Sequence, residues 1–124
     1  MWFTVLNVVM LPLFVVSVVV QHNDPDPLGW MAIYGAAATC CVVALLGRLP
    51  WVVPALVGAV ALVWAAILAP GVLGQTSLGE MTAGWHMTNM TQATEEGREM
   101  GGLLIEATWM IIQAAVLRRR QRAR

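Results

Sequence analysis

The chain has 124 residues, of which 59% are hydrophobic and only 11% charged, against about 25% charged in an average soluble domain. That composition excludes a water-soluble globule, a disordered chain and a nucleic-acid-binding module, and the length leaves room for a single domain. Seven basic and seven acidic residues cancel formally, but the signs are segregated: the bases are Arg48, Arg98, Arg118, Arg119, Arg120, Arg122 and Arg124, and the acids are Asp24, Asp26, Glu80, Glu95, Glu96, Glu99 and Glu106.

A bilayer-crossing helix needs about 20 mostly apolar residues. The first such span is predicted over 2–20, interrupted only by Thr4, Asn7 and Ser17. It stops at Gln21-His22-Asn23-Asp24-Pro25-Asp26-Pro27, where two acids and two prolines oppose both helix and hydrocarbon. A cleaved signal peptide would need a basic start and a small-residue cleavage site. The segment has neither and reads as an uncleaved anchor.

The second span is predicted over 30–46, ending at Gly47-Arg48-Leu49. It holds Cys40 and Cys41, which are adjacent and mid-span, so there is no disulfide framework and no Cys-x-x-Cys metal site. The third span is predicted over 50–69. Pro50 suits its first turn, where a missing N–H costs nothing, and Pro70-Gly71 closes it. Residues 71–90 read as a polar, glycine-dotted outer loop. Within it Ser77-Leu78-Gly79-Glu80 fits a capping box, while Gly79 and Gly84 oppose a helix. The fourth span is predicted over 98–117, its helix starting near Thr91 or Thr94, followed by a basic tail at 118–124.

The expected fold is therefore all-α: an integral membrane four-helix bundle forming one transmembrane domain over 1–124, with both termini cytoplasmic. The positive-inside rule sets that orientation. Arg48 and the five tail arginines fall inside, the acids fall outside or, for Glu106, in the outer half of the bilayer. An inner or plasma membrane is the expected location. Trp2 and Trp51 would lie at the inner interface and Trp30 and Trp85 at the outer one, as an aromatic belt. Five arginines in seven residues also suit nucleic acid. Directly after a spanning helix they read instead as an anchor drawn to anionic lipid heads.

At 100° per residue, Glu95, Glu99, Gly102, Glu106 and Gln113 share one side of the fourth helix. Gly97 and Gly101 form a GxxxG pair on roughly the opposite side, the small-residue pattern of a helix-packing face. Glu106 lies about 10 Å deeper than Glu99 at about 1.5 Å rise per residue. An isolated carboxylate at that depth is costly, so it should be paired, hydrogen-bonded or protonated. Ser17 and Tyr34 are predicted at similar depth. An intramembrane acid suggests a proton or ion site, and its plainer alternative is a neutral carboxyl holding helices in register.

The predicted outer surface combines Asn23-Asp24-Pro25-Asp26 with Glu95-Glu96-Gly97-Arg98-Glu99. Arg98 is the lone arginine on that side, and a forked hydrogen bond to Asp24 or Asp26 would tie the first hairpin to the fourth helix. Together with Trp30 and Tyr34 these residues form an outer-face cluster.

At these residues the sequence resembles the transmembrane protein 220 family of small membrane proteins. The matching pattern is Asn23-Asp24-Pro25-Asp26, then Trp30 and Tyr34, then Glu95-Glu96-Gly97-Arg98-Glu99, Gly102 and Trp109, and it covers most of the chain. The resemblance implies a small multi-span membrane protein and implies no activity. Glu106, His22 and the methionine-rich loop stand outside the pattern.

Metal and enzyme chemistry find little support. His22, His86, Met87 and Met90 offer imidazole and thioether ligands suited to copper, and the acids suit a hard divalent cation. However, methionine occurs eight times in the chain, and Arg98 competes for the carboxylates. No GxSxG, HExxH, P-loop or nucleotide-binding glycine fingerprint is present, so no catalytic residues and no cofactor are expected. The expectation is a non-enzymatic accessory or structural subunit that packs against itself or a larger membrane complex. The alternative is a membrane protein holding copper or a divalent cation on its outer face.

Overall fold

The computed structural model describes residues 1–21, 27–72 and 92–123, with only the helical backbone for residues 71–72 and 92–96. Among the described residues the helices are α1 (Trp2–Gln21), α2 (Pro27–Leu45), α3 (Val52–Val72) and α4 (Gln92–Arg122). Each contains a segment long and apolar enough to cross a membrane. The all-α four-helix architecture expected from composition is thus what the chain adopts.

The helix ends differ from the predicted spans in physically readable ways. α2 starts at Pro27 rather than Trp30, because proline pre-sets the dihedral of a first helical residue and has no N–H to leave unpaired. It ends on Gly47, whose φ of 72° is the left-handed conformation that glycine adopts without steric cost. There Gly47 N–H donates to the Ala44 carbonyl at 3.0 Å and Arg48 N–H to the Val43 carbonyl at 3.1 Å, a Schellman closure. Pro50 precedes α3 instead of opening it. Its carbonyl accepts from Val53 N–H at 3.1 Å, and it is Pro54 that occupies the first turn. The helical backbone of α3 passes through Pro70 to Val72, while its apolar span closes at Pro70. Pro12, inside α1, removes the N–H that Val8 would otherwise receive.

The helices pair unequally. α1 lies along α2 and α3 along α4, and α2 contacts α3 and α4 over shorter stretches. The α3–α4 seam is the tightest. On α3 it is built from Pro54, Gly58, Ala61 and Ala65, and on α4 from Leu103, Ala107, Met110, Ala114 and Leu117, all buried. Both sets recur at alternating intervals of three and four residues, as in a helix-pair seam. In lipid, where apolar burial gives no drive between helices, close backbone approach supplies the attraction. A Cβ on Gly58 would stand 3.2 Å from Met110 Cβ and 3.5 Å from the Ala107 carbonyl oxygen.

α4, at 31 residues, is about 46 Å long against a hydrocarbon core of about 30 Å. Its last turns are a docked helix rather than a trailing tail. Gln121 donates from Nε2 to the Leu49 carbonyl at 2.8 Å and accepts Trp51 N–H at 3.2 Å. The Arg118 guanidinium lies 5.1 Å from the Trp51 ring centroid and that of Arg120 lies 4.9 Å from the Phe3 ring, both cation–π contacts. The start of α1, the α2–α3 turn and the end of α4 therefore share one end of the bundle.

Gln121→Ala removes both bonds to the turn and should cost about 1–2 kcal/mol. Thermal melts in detergent should show a lowered transition, whereas the exposed Arg122→Ala should melt like the parent. Equal melting of all three proteins would mean that the latch contributes nothing.

Candidate functional site

Among the described residues, burial picks out three polar side chains in the bundle interior: Asn7, Glu106 and Gln113, each 0% exposed. Two of them are fastened to each other. Gln113 donates from Nε2 to Asn7 Oδ1 at 2.6 Å, and Asn7 donates from Nδ2 to the Phe3 carbonyl at 3.1 Å. The same Gln113 nitrogen lies 4.0 Å from Cys41 Sγ. This amide chain links α1, α2 and α4 across the membrane interior, where water does not compete for the bonds. Phe3 and Trp109 pack beside it, ring centroids 5.9 Å apart.

Glu106 is different. Neither carboxyl oxygen has a hydrogen-bond partner among the described residues. Its polar surroundings come from α2: the Tyr34 hydroxyl and the Cys40 thiol both lie within its electrostatic reach. Tyr34 is also within reach of Glu99, one and a half to two turns toward the start of α4. The Tyr34 hydroxyl sits directly over Gly102, where a Cβ would collide with it. Glu99, Gly102, Glu106 and Gln113 thus line up on the inward side of α4, with Tyr34 laid across the upper half of the row. Ser17, the other predicted neighbour of Glu106, donates instead to the Leu13 carbonyl of its own helix at 2.8 Å. That bond is the usual outlet for a membrane serine.

The aromatic part of the predicted cluster lies near the same row. Trp30 stacks on Tyr34 at 6.4 Å and on Trp64 at 4.3 Å between centroids, and it is buried. Arg98 is exposed and Glu99 partly buried on the first turns of α4, and both have interaction partners. Asn23, Asp24 and Asp26, the side chains of Glu95 and Glu96, and the metal candidates His22, His86, Met87 and Met90 lie outside the described residues. So do Trp85, the Ser77–Glu80 capping box and Arg124.

The glycine pattern separates the two faces of α4. Gly97 is buried, but a Cβ on Gly101 would meet nothing within 4 Å. Among the described glycines the ones that neighbours crowd are Gly29, under the Trp64 ring, Gly58 and Gly102. The GxxxG spacing pointed to the side of α4 away from the α3 seam. The interval of Pro54, Gly58, Ala61 and Ala65 along α3 was the signal that marked the seam itself. Asn7 was likewise legible only as a break in an apolar run. Counting in from the ends of their spans places Asn7 and Gln113 at equal depth, which is the cue that pairs them.

Two shallow apolar grooves open on the membrane-facing surface. One, of ≈ 340 Å³, runs between α2 and α3, with Gly29, Ala32 and Ala36 on one wall and Leu56, Val60 and Trp64 on the other. The second, of ≈ 350 Å³, lies between α1 and α4 against Met10, Leu104, Thr108 and Ile112.

The family model described as "Transmembrane family 220, helix" matches residues 13–115. No solved structure matches the chain.

Proposed function

Because the chain belongs to transmembrane family 220 and is a multi-pass membrane protein, we propose that it works as a non-catalytic accessory subunit that receives a transmembrane helix from outside the chain. The observation that carries this reading is the α2–α3 groove. Its α2 wall presents Gly29, Ala32 and Ala36 to the bilayer, and small residues at such spacing let a second helix backbone approach closely. Two polar side chains fasten one helix to another, Gln113 to Asn7 and Gln121 to the α2–α3 turn. That is the use expected of a scaffold rather than of a catalyst.

The orientation belongs to the same proposal. Arg48, Arg118, Arg119, Arg120 and Arg122 gather at one end of the bundle, and positive charge of that density favours the cytoplasmic face of an inner or plasma membrane.

Ala36→Leu fills the groove with a side chain that the facing wall leaves room for. Purified in mild detergent, the parent should migrate as a complex, with itself or with a companion protein. The variant should lose that association about tenfold while its melting transition stays put. A parent that is monodisperse and alone, or a variant that associates as well as the parent, would contradict the proposal.

A further inference from the structure

Glu106 is fully buried near the middle of a 31-residue membrane helix, and neither oxygen has a hydrogen-bond partner among the described residues. The titratable groups facing it are few. α1 and α3 contain none, α2 contributes Tyr34 and Cys40, and Glu99 of α4 lies within electrostatic reach of Tyr34. Among the described residues no cation faces it: Arg98 is exposed eight residues away, about 12 Å along the axis, and the other arginines lie at the opposite end of the bundle. A carboxylate ion in such a place would have neither water nor counter-charge, so the neutral acid is the form that the surroundings favour.

We propose that Glu106 is a proton-binding site embedded in the membrane, reached from the Glu99 end of α4 by way of the Tyr34 hydroxyl. This inference is independent of the docking groove, which lies on the other side of α2. A phenol hydroxyl both donates and accepts. Tyr34 passes its proton to the Glu106 carboxylate and takes one from Glu99. One O–H bond breaks at each donor and one forms at each acceptor, so the phenol ends unchanged and one proton has moved inward. Glu106 makes no direct hydrogen bond to the hydroxyl, and a rotation of its side chain spans the step. Gly102 is what admits the hydroxyl to the face of α4, since any Cβ there would displace it. Beyond Glu106 the row continues with Gln113 and Asn7, amides already bonded to each other, so the site is open from one end only.

The test uses the full chain in liposomes and two readouts. The first is the infrared carbonyl band of a protonated carboxyl, identified by its loss in Glu106→Gln, titrated with pH and followed in deuterium exchange. The second is reaction with dicyclohexylcarbodiimide, an apolar reagent that adds to protonated carboxyls in apolar surroundings, with the adduct mapped by mass. A protonated band at neutral pH, an adduct on Glu106 that declines about tenfold per pH unit above the titration point, and exchange slowed at least tenfold in Tyr34→Phe and Gly102→Ala are expected. If Glu106→Gln does not fold, the mapped adduct on the parent decides alone. Absence of both band and adduct at every pH overturns the site. Exchange at the parental rate in Tyr34→Phe overturns the route.

Discussion

Replacing Gly58 with leucine is expected to force α3 away from α4 and to destabilise the bundle by about 3 kcal/mol, the upper part of the range for overpacked cores. The cause is that nothing beside Gly58 can yield. Its neighbours are the Cβ of Met110, at 3.2 Å from an added Cβ, Ile111 Cγ1 at 3.4 Å and the Ala107 backbone carbonyl at 3.5 Å. None of these is the free end of a flexible side chain. Gly58→Ala should show a smaller loss, because one methyl needs a shift of only a few tenths of an ångström. Leu62→Ala, on the lipid-facing side of the same helix, should be close to neutral. Denaturant unfolding followed by helical circular dichroism ranks the three, and a parental curve for Gly58→Leu would mean that α3 and α4 do not meet at this seam.

The second large effect is expected at the amide chain. Gln113→Leu removes the donor to Asn7 Oδ1 and leaves that oxygen buried without its partner, which should cost about 1–2 kcal/mol, toward the upper end for hydrogen bonds between membrane helices. The informative comparison is the double variant Asn7→Leu/Gln113→Leu. With both amides gone no polar atom is stranded, so the pair should lose less than the sum of the two single losses. Unfolding of the four proteins in one detergent closes the cycle, and strict additivity would show that the two amides act separately.

Much of this architecture follows from the sequence because a bilayer leaves few alternatives: apolar runs of about 20 residues must be helices, and four of them account for the chain. What was not legible was which side of each helix found a partner. Small-residue spacing on α4 is as marked at Gly97 and Gly101 as at any other position, yet Gly101 stands clear while Gly102 lies under Tyr34. The difference is made by where Tyr34 of α2 reaches the face of α4, which a one-dimensional pattern does not contain. Tyr34 comes near the depth of Glu106, as counting from the span ends predicts. Ser17 was placed at the same depth by the same count but turns to its own backbone, a local alternative always open to serine in a helix. In the sequence the arginine tail shows only as an anchor for anionic lipid heads. Its continuation of α4 puts Arg118, Arg120 and Gln121 on different sides of a single turn, and that spread brings them onto Trp51, Phe3 and the α2–α3 turn.

The placement of polar groups depends throughout on the start of α1, the α2–α3 turn and the end of α4 lying on one side of the membrane. Single cysteines introduced at Arg48, Arg122 and Ser77, in a chain whose own Cys40 and Cys41 are buried, can be probed in sealed vesicles with a membrane-impermeant thiol reagent. The cysteines at 48 and 122 should be labelled from the same side and the one at 77 from the other. Labelling of 48 and 122 from opposite sides would contradict the four-span arrangement.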